Sequence, residues 1–224
     1  MNKTKEKGMH LNAWSGVHGN EYTDRCDVDP KTRVTPFKRL LKYISNPPIC
    51  YVLEVGCNKG HNLEAIDAIN HEHDIDTIYV PTGIEPNEYA IKKSYVNAFE
   101  NRTRVVHGDV YNMPWIYGTF DVVFTAGVLI HIPTDKLNQA MENMFNVSRK
   151  FIMFIEYESE QEKGTNYEQD FDYQEGVWSR PYGRIFEELM GDKVKKVAHG
   201  KMEEISNDGW AFSTKCSYWI YKKI

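Results

Sequence analysis

The chain has 224 residues, 41% of them apolar, with 14 tyrosines, 10 phenylalanines and 5 tryptophans, enough for one cored domain with a modest addition. A net charge of −5 argues against a protein that grips long polyanions, and the lack of any run of about 18 apolar residues argues against a membrane-spanning helix. Four cysteines, Cys26, Cys50, Cys57 and Cys216, show no C-x-x-C spacing; neither a zinc ribbon nor a redox pair is expected, no metal site is expected, and a reduced cytoplasmic protein is the simplest expectation.

Residues 1 to about 35 are polar and irregular in pattern, yet contain Trp14 and Tyr22. Such large rings are expected to fold back as a cap over the body, leaving 36–224 as the main domain. Pro36 to Ile44 has helical apolar spacing, with Thr35 as expected N-cap and Pro36 at the first helical position; Pro47-Pro48 stops it. The chain then alternates. Strands are expected at 51–55, 77–84, 104–107, 120–125 and 151–155, and helices at 60–70, 87–99 and 134–147, the last with Thr134 as N-cap. This alternation implies a mostly parallel sheet with right-handed crossovers. Residues 157–180 are acidic and aromatic without periodicity, the pattern of a lid-like insertion. A helix at 182–190 and strands near 194–199 and 216–222 close the chain, the last able to form a terminal hairpin.

The most telling stretch is Leu53-Glu54-Val55-Gly56-Cys57-Asn58-Lys59-Gly60. An apolar strand ends in an acidic residue and a glycine, and a helix starts after a second glycine. A dinucleotide site needs G-x-G-x-x-G, whose middle glycine admits a pyrophosphate. Here Asn58 holds that place, which disfavours a nicotinamide oxidoreductase. A turn without the pyrophosphate glycine, with a carboxylate at the strand end, suits a cationic nucleoside without phosphates. S-adenosylmethionine is such a ligand.

Its parts select candidate residues. Gly56, Cys57, Asn58 and Gly60 form the turn. Glu85, at the end of the second strand in Gly83-Ile84-Glu85-Pro86, is placed to accept two ribose hydroxyls. Asp109 and Val110, after the third strand, suit the adenine edge, with Pro86, Met113 or Ile84 over the ring faces. Glu54 and the backbone near Ala126 and Gly127 suit the amine of the amino-acid end.

These motifs in this order, LEVGCNKG, GIEPN, GDVYNMPW and FDVVFTAGVLIHIP, resemble the seven-stranded S-adenosylmethionine-dependent methyltransferase family over about Tyr51 to Tyr157. The resemblance implies an α/β, Rossmann-like, mostly parallel sheet of order 3-2-1-4-5-7-6, strand 7 antiparallel, with helices on both faces. The segment Trp14-Ser15-Gly16 through Arg25 further resembles the opening of methylases associated with pseudaminic acid biosynthesis, as does Glu156-Tyr157 after the fifth strand. Tyr173 to Gly183 resembles that group more loosely, and Cys26, Gln174-Glu175 and Ser179 depart from its pattern. This implies a small acceptor, a sugar or sugar nucleotide with acidic sugars among the candidates, and neither nucleic acid nor membrane as partner.

If the acceptor atom is a hydroxyl, a base must take its proton. His131 is the first candidate, because imidazole titrates near neutral pH; Glu156 and Tyr157 follow. Arg180 suits a carboxylate or phosphate on the acceptor, and Trp14, Tyr22, Arg25 and Tyr173 are further acceptor-binding candidates. A protein or nucleic-acid methyltransferase and a catalytically silent S-adenosylmethionine-binding regulator are the alternatives. Asn46-Pro47-Pro48-Ile49 lacks the aromatic of an adenine methylase motif and precedes the first strand, so it reads as a helix stop. His71-Glu72-His73 lacks metal-ligand spacing.

Overall fold

The computed structural model describes residues 11–44, 47–72, 76–94, 104–162, 177–206 and 216–224. A helical turn at 11–15 leads into α1 (Val17–Arg25) and α2 (Lys31–Leu41). The alternating body follows: β1 (Ile49–Val55), α3 (His61–Ile69), β2 (Ile78–Glu85), α4 (Glu88–Lys92), β3 (Arg104–His107) and β4 (Phe120–Ala126). A single 3-10 turn, Leu129–His131, precedes α5 (Thr134–Val147) and β5 (Ser148–Tyr157). The chain closes with α6 (Tyr182–Met190), β6 (Val194–Lys201), α7 (Met202–Ile205) and β7 (Cys216–Lys223).

The seven strands form one sheet of order β3-β2-β1-β4-β5-β7-β6. The first five run parallel, and β7 is antiparallel to both β5 and β6. This is the Rossmann-like order that the sequence motifs imply. Period-two alternation sorts the strand residues onto two faces. Val52, Phe124, Met153 and Ile220 pack with Phe37 and Leu40 of α2 and Ile66 of α3. Leu53, Val123, Ile152 and Tyr221 pack with Met141 and Met144 of α5 and Phe186 of α6. Strands covered on both faces read as continuous apolar runs, and all seven residues of β4 are buried.

Several boundaries differ from the sequence-based expectation, each for a local reason. The N-terminal segment, from residue 11 on, is largely helical rather than irregular. The second helix begins at Lys31 and not at Pro36, because Asp29-Pro30 supplies the start: Asp29 Oδ1 accepts the Lys31 N–H at 3.0 Å, and Thr32 Oγ1 donates to the Asp29 carbonyl at 2.7 Å. Pro36 therefore lies inside a helix, where its missing N–H removes one rung. Thr134 is the first helical residue, preceded by Pro133, and its hydroxyl bonds Glu162 and Arg180 instead of the helix end. The strand β5 reaches from Ser148 to Tyr157, longer than its apolar core. The helix expected over 87–99 is described as Glu88–Lys92, and 95–99 lies outside the described residues, as does 163–176 of the expected insertion.

Candidate functional site

The strand order reverses between β1 and β4, so a crevice opens beyond their carboxyl ends, where open α/β sheets bind ligands. The turn after β1 shapes its floor. Gly56 takes φ +73° and Gly60 φ +85°. A side chain at Gly56 would place its Cβ 2.7 Å from Val128, and one at Gly83 would strike the Cys57 sulfur at 2.3 Å. The turn is thus pressed against β2 and the β4 loop. Asn58, which replaces the pyrophosphate glycine, is the sole described non-glycine residue at positive φ, +48°; asparagine tolerates this region. Its N–H donates to Glu85 Oε2 at 2.8 Å, so it is already committed.

Glu85 stands at the end of β2, 6% exposed. Its Oε1 accepts the Asn87 N–H at 3.0 Å. Burial pushes its carboxyl up to about 7, against the two backbone N–H groups. Each oxygen has one such bond and room for a second acceptor interaction.

Glu54 is 2% exposed and lines the same cleft. Its Oε1 accepts from Asn62 Nδ2, while Oε2 is buried with no hydrogen-bond partner among the described residues. Burial pushes this carboxyl up to about 8, partly opposed by Asn62 and the nearby Arg33. A buried acceptor oxygen of this kind calls for a cationic or donor group.

Asp109 Oδ1 accepts the N–H groups of Tyr111 and Asn112, at 2.7 and 3.0 Å. This closes a turn that presents Val110 to the cleft, and Asn143 Nδ2 of α5 holds the Val110 carbonyl at 2.9 Å. Above lie Leu11, Trp14 and Tyr22 of the N-terminal helices. The Trp14 ring lies 4.5 Å from that of His131 and 5.2 Å from that of Tyr22, centroid to centroid. The cleft encloses about 940 Å³, its open mouth included.

The expected residues Glu54, Gly56, Cys57, Asn58, Glu85, Pro86, Asp109, Val110, Ala126, Gly127, Trp14, Tyr22 and His131 all line this cleft. Others are placed elsewhere. Gly60 closes the turn through its N–H to the Cys57 carbonyl, one step behind the wall. Glu156 is fully buried beneath the β4 loop, its oxygens accepting the N–H groups of Val128 and Ile130 at 3.2 and 3.3 Å. Burial pushes its carboxyl up to about 7, against Thr125 and these backbone donors. Tyr157, half-buried, packs into both cores.

Arg180 is 0% exposed; it donates to the carbonyls of Leu129 and Ile132, at 3.3 and 2.9 Å, and to Thr134 Oγ1, pairs with Glu162, and lies over the Trp178 ring. It braces the loop below His131 and does not reach the cleft. Arg25 is exposed in the last turn of α1 and is not among the lining residues. Tyr173 lies outside the described residues. Arg33 and Asn62 line the cleft unforeseen. The early start of α2 is what brings Arg33 in; a polar residue two places after Gly60, on a face otherwise packed inward, is the signal that could have marked Asn62.

A switch-point crevice with a glycine turn and a carboxylate at the end of β2 fits a nucleoside-binding α/β domain. Residues 52–150 match the family model described as a methyltransferase domain. That stretch, from β1 into β5, is similar to methyltransferase domains. The chain is 31% identical over 112 residues to the tRNA U34 carboxymethyltransferase of Psychromonas ingrahamii, a match covering 47% of this chain and 32% of that protein. It is 30% identical to sterol methyltransferase-like 2 of Botryococcus braunii, over 48% of this chain and 26% of that one. The chain thus spans about a third or less of the curated relatives it matches. Among solved structures, the 1,6-didemethyltoxoflavin-N1-methyltransferase of Burkholderia thailandensis, bound to its namesake compound and S-adenosylhomocysteine, shares the fold at TM-score 0.65 and 13% identity, covering 100% of this chain and 91% of that one.

Proposed function

We propose that the chain transfers a methyl group from S-adenosylmethionine to an oxygen or nitrogen of a small, sugar-derived acceptor in the cytoplasm. The observation that carries the cofactor part is Glu54: a buried carboxylate oxygen in the cleft without a protein partner among the described residues, matched to the ammonium of the ligand. Glu85 would hold the ribose hydroxyls, and the Asp109–Val110 turn the adenine edge. When bound, the cofactor supplies an electrophilic methyl on a sulfonium.

The chain's own residues then orient and enclose. Trp14 and Tyr22 roof the cleft and keep water from the acceptor, whose ring would stack on Trp14. His131, facing Trp14, takes the proton of an acceptor hydroxyl at its imidazole. Glu156 and Arg180 act through the Leu129–His131 turn as positioning residues. Positioning is the larger contribution, since methyl transfer is an in-line displacement that gains most from alignment. The sugar reading is supported by the Trp14-to-Arg25 motif, the segment that supplies the roof.

A nucleic-acid acceptor is the second reading, favoured by the name of the Psychromonas relative and opposed by the charge of −5. Incubation with S-adenosylmethionine, followed by mass spectrometry of a panel of sugar nucleotides and of bulk tRNA, separates them. A methylated sugar is expected; methylated tRNA alone, or binding without any transfer, discards the sugar reading.

A further inference from the structure

The Asp109–Val110 turn hangs from an edge of the sheet. β3 is four residues long and pairs with β2 alone, from Thr82 opposite Arg104 to Glu85 opposite His107. An edge strand has one neighbour to hold its end in place. Two bonds cross from that end to the loop after β2. The Gly108 N–H donates to the Glu85 carbonyl at 3.1 Å. The His107 ring reaches one residue further, its Nε2 lying 3.2 Å from the Pro86 carbonyl. A carbonyl only accepts, so this imidazole carries a proton at Nε2 and donates it. Pro86 has no N–H, so its carbonyl is the backbone group by which it can be held. Pro86 also stands between Glu85 and Asn87, whose N–H the Glu85 carboxylate accepts at 3.0 Å. A shift of the Pro86 peptide would therefore shift that carboxylate. His107 itself is exposed and is not among the residues lining the cleft, whereas Glu85, Pro86, Asp109 and Val110 are. Its charge has a second, smaller effect: burial pushes the Glu85 carboxyl up, the Asn58 and Asn87 N–H groups oppose this, and a protonated His107 adds to them.

We propose that His107 is a positioning residue for the nucleoside: its imidazole clamps the Pro86 carbonyl and so holds the loop after β2 and the turn after β3 at the spacing the nucleoside needs. This rests on the cofactor reading above, which gives Glu85 the ribose and the Asp109–Val110 turn the adenine edge. The clamp acts on the nucleoside half of the ligand and on neither the amino-acid tail nor the acceptor.

Calorimetry with S-adenosylhomocysteine and 5′-methylthioadenosine tests it, because the two share the nucleoside and differ in the tail. His107→Phe keeps a ring and removes the donor; it should weaken both ligands by the same factor, about fivefold. His107→Gln offers an uncharged amide donor to the same carbonyl and should return both affinities to within about twofold of the wild type. In turnover, His107→Phe should raise the apparent Michaelis constant for S-adenosylmethionine with kcat unchanged. Wild-type affinity in His107→Phe, with or without a lower melting temperature, overturns the clamp and leaves the cofactor reading standing. So does a loss that His107→Gln fails to recover, which assigns the effect to the charge, and so does a loss confined to S-adenosylhomocysteine. If the wild-type protein binds neither ligand, the cofactor reading itself has failed, and the clamp with it.

Discussion

Glu54 and Glu85 are two carboxylates of the same cleft with different tasks, set by how many donors each already has. Glu85 has a backbone N–H on each oxygen, which fixes its plane and leaves it an acceptor for hydroxyls. Replacing it by alanine should cost about 1.5–3 kcal/mol in S-adenosylhomocysteine affinity, the worth of a charged bidentate contact; unchanged calorimetric affinity removes the ribose assignment. For His131→Ala the expectation is a fall in turnover with cofactor affinity intact, and full activity discards it as the base. Arg180→Ala should act on folding instead of acceptor binding. It leaves buried carbonyls of the Leu129–Ile132 turn without their donor, at about 1–3 kcal/mol, readable as a lower midpoint in urea. At this scale the glycine turn and Glu85 were legible because their demands are local: positive φ, a strand end, a helix start. The duties of Glu156 and Arg180 were not, because an exposed anion-binding arginine and a buried bracing one look alike until the fold decides which carbonyls they meet.

The roof is fastened to the cleft by amide side chains. Asn87 caps α4, accepting from Tyr89 and Ala90, and its Nδ2 donates to the Trp14 carbonyl at 2.9 Å and to Asn20. Asn58 Nδ2 donates to Thr23 Oγ1 at 3.1 Å. Both asparagines also give their backbone N–H to Glu85. The helices that carry Trp14 and Tyr22 are thereby tied to the two loops that hold Glu85. Asn87→Ala should lose a cap, worth about 1 kcal/mol, and also raise the apparent Michaelis constant for the acceptor, although Asn87 is not among the residues lining the cleft. Unaltered kinetics with only a stability loss dissociates the roof from acceptor binding. The sequence indicated a segment folding back, from its large rings, but hid its helical form, since its apolar residues are few and its caps are glycine and proline.

At the scale of the molecule, three buried carboxyls among the described residues are pushed up, Glu54 to about 8 and Glu85 and Glu156 to about 7. An unfolded chain ionises them near the ordinary value of about 4.3. The native state therefore holds more protons between these values, and stability falls as pH rises. It is fully present below about pH 4.5 for these groups and is lost through pH 7 to 8. The melting temperature of the ligand-free protein should decline over that window, and saturating S-adenosylhomocysteine should lessen the decline, because its ammonium favours the ionised Glu54. A melting temperature flat in pH, with and without ligand, contradicts this. The strand order was legible as a whole because motif order along the chain implied it, whereas the proton load depends on burial, which no spacing encodes.

The amide ties between roof and ribose loops also bear on timing. A spent nucleoside bound beneath the roof would have to leave past those ties, and opening of a packed cover is commonly slower than the chemical step beneath it. Mixed rapidly with acceptor, the enzyme is expected to give a first turnover faster than all that follow, a burst whose steady phase quickens when the Asn58 and Asn87 side chains are shortened.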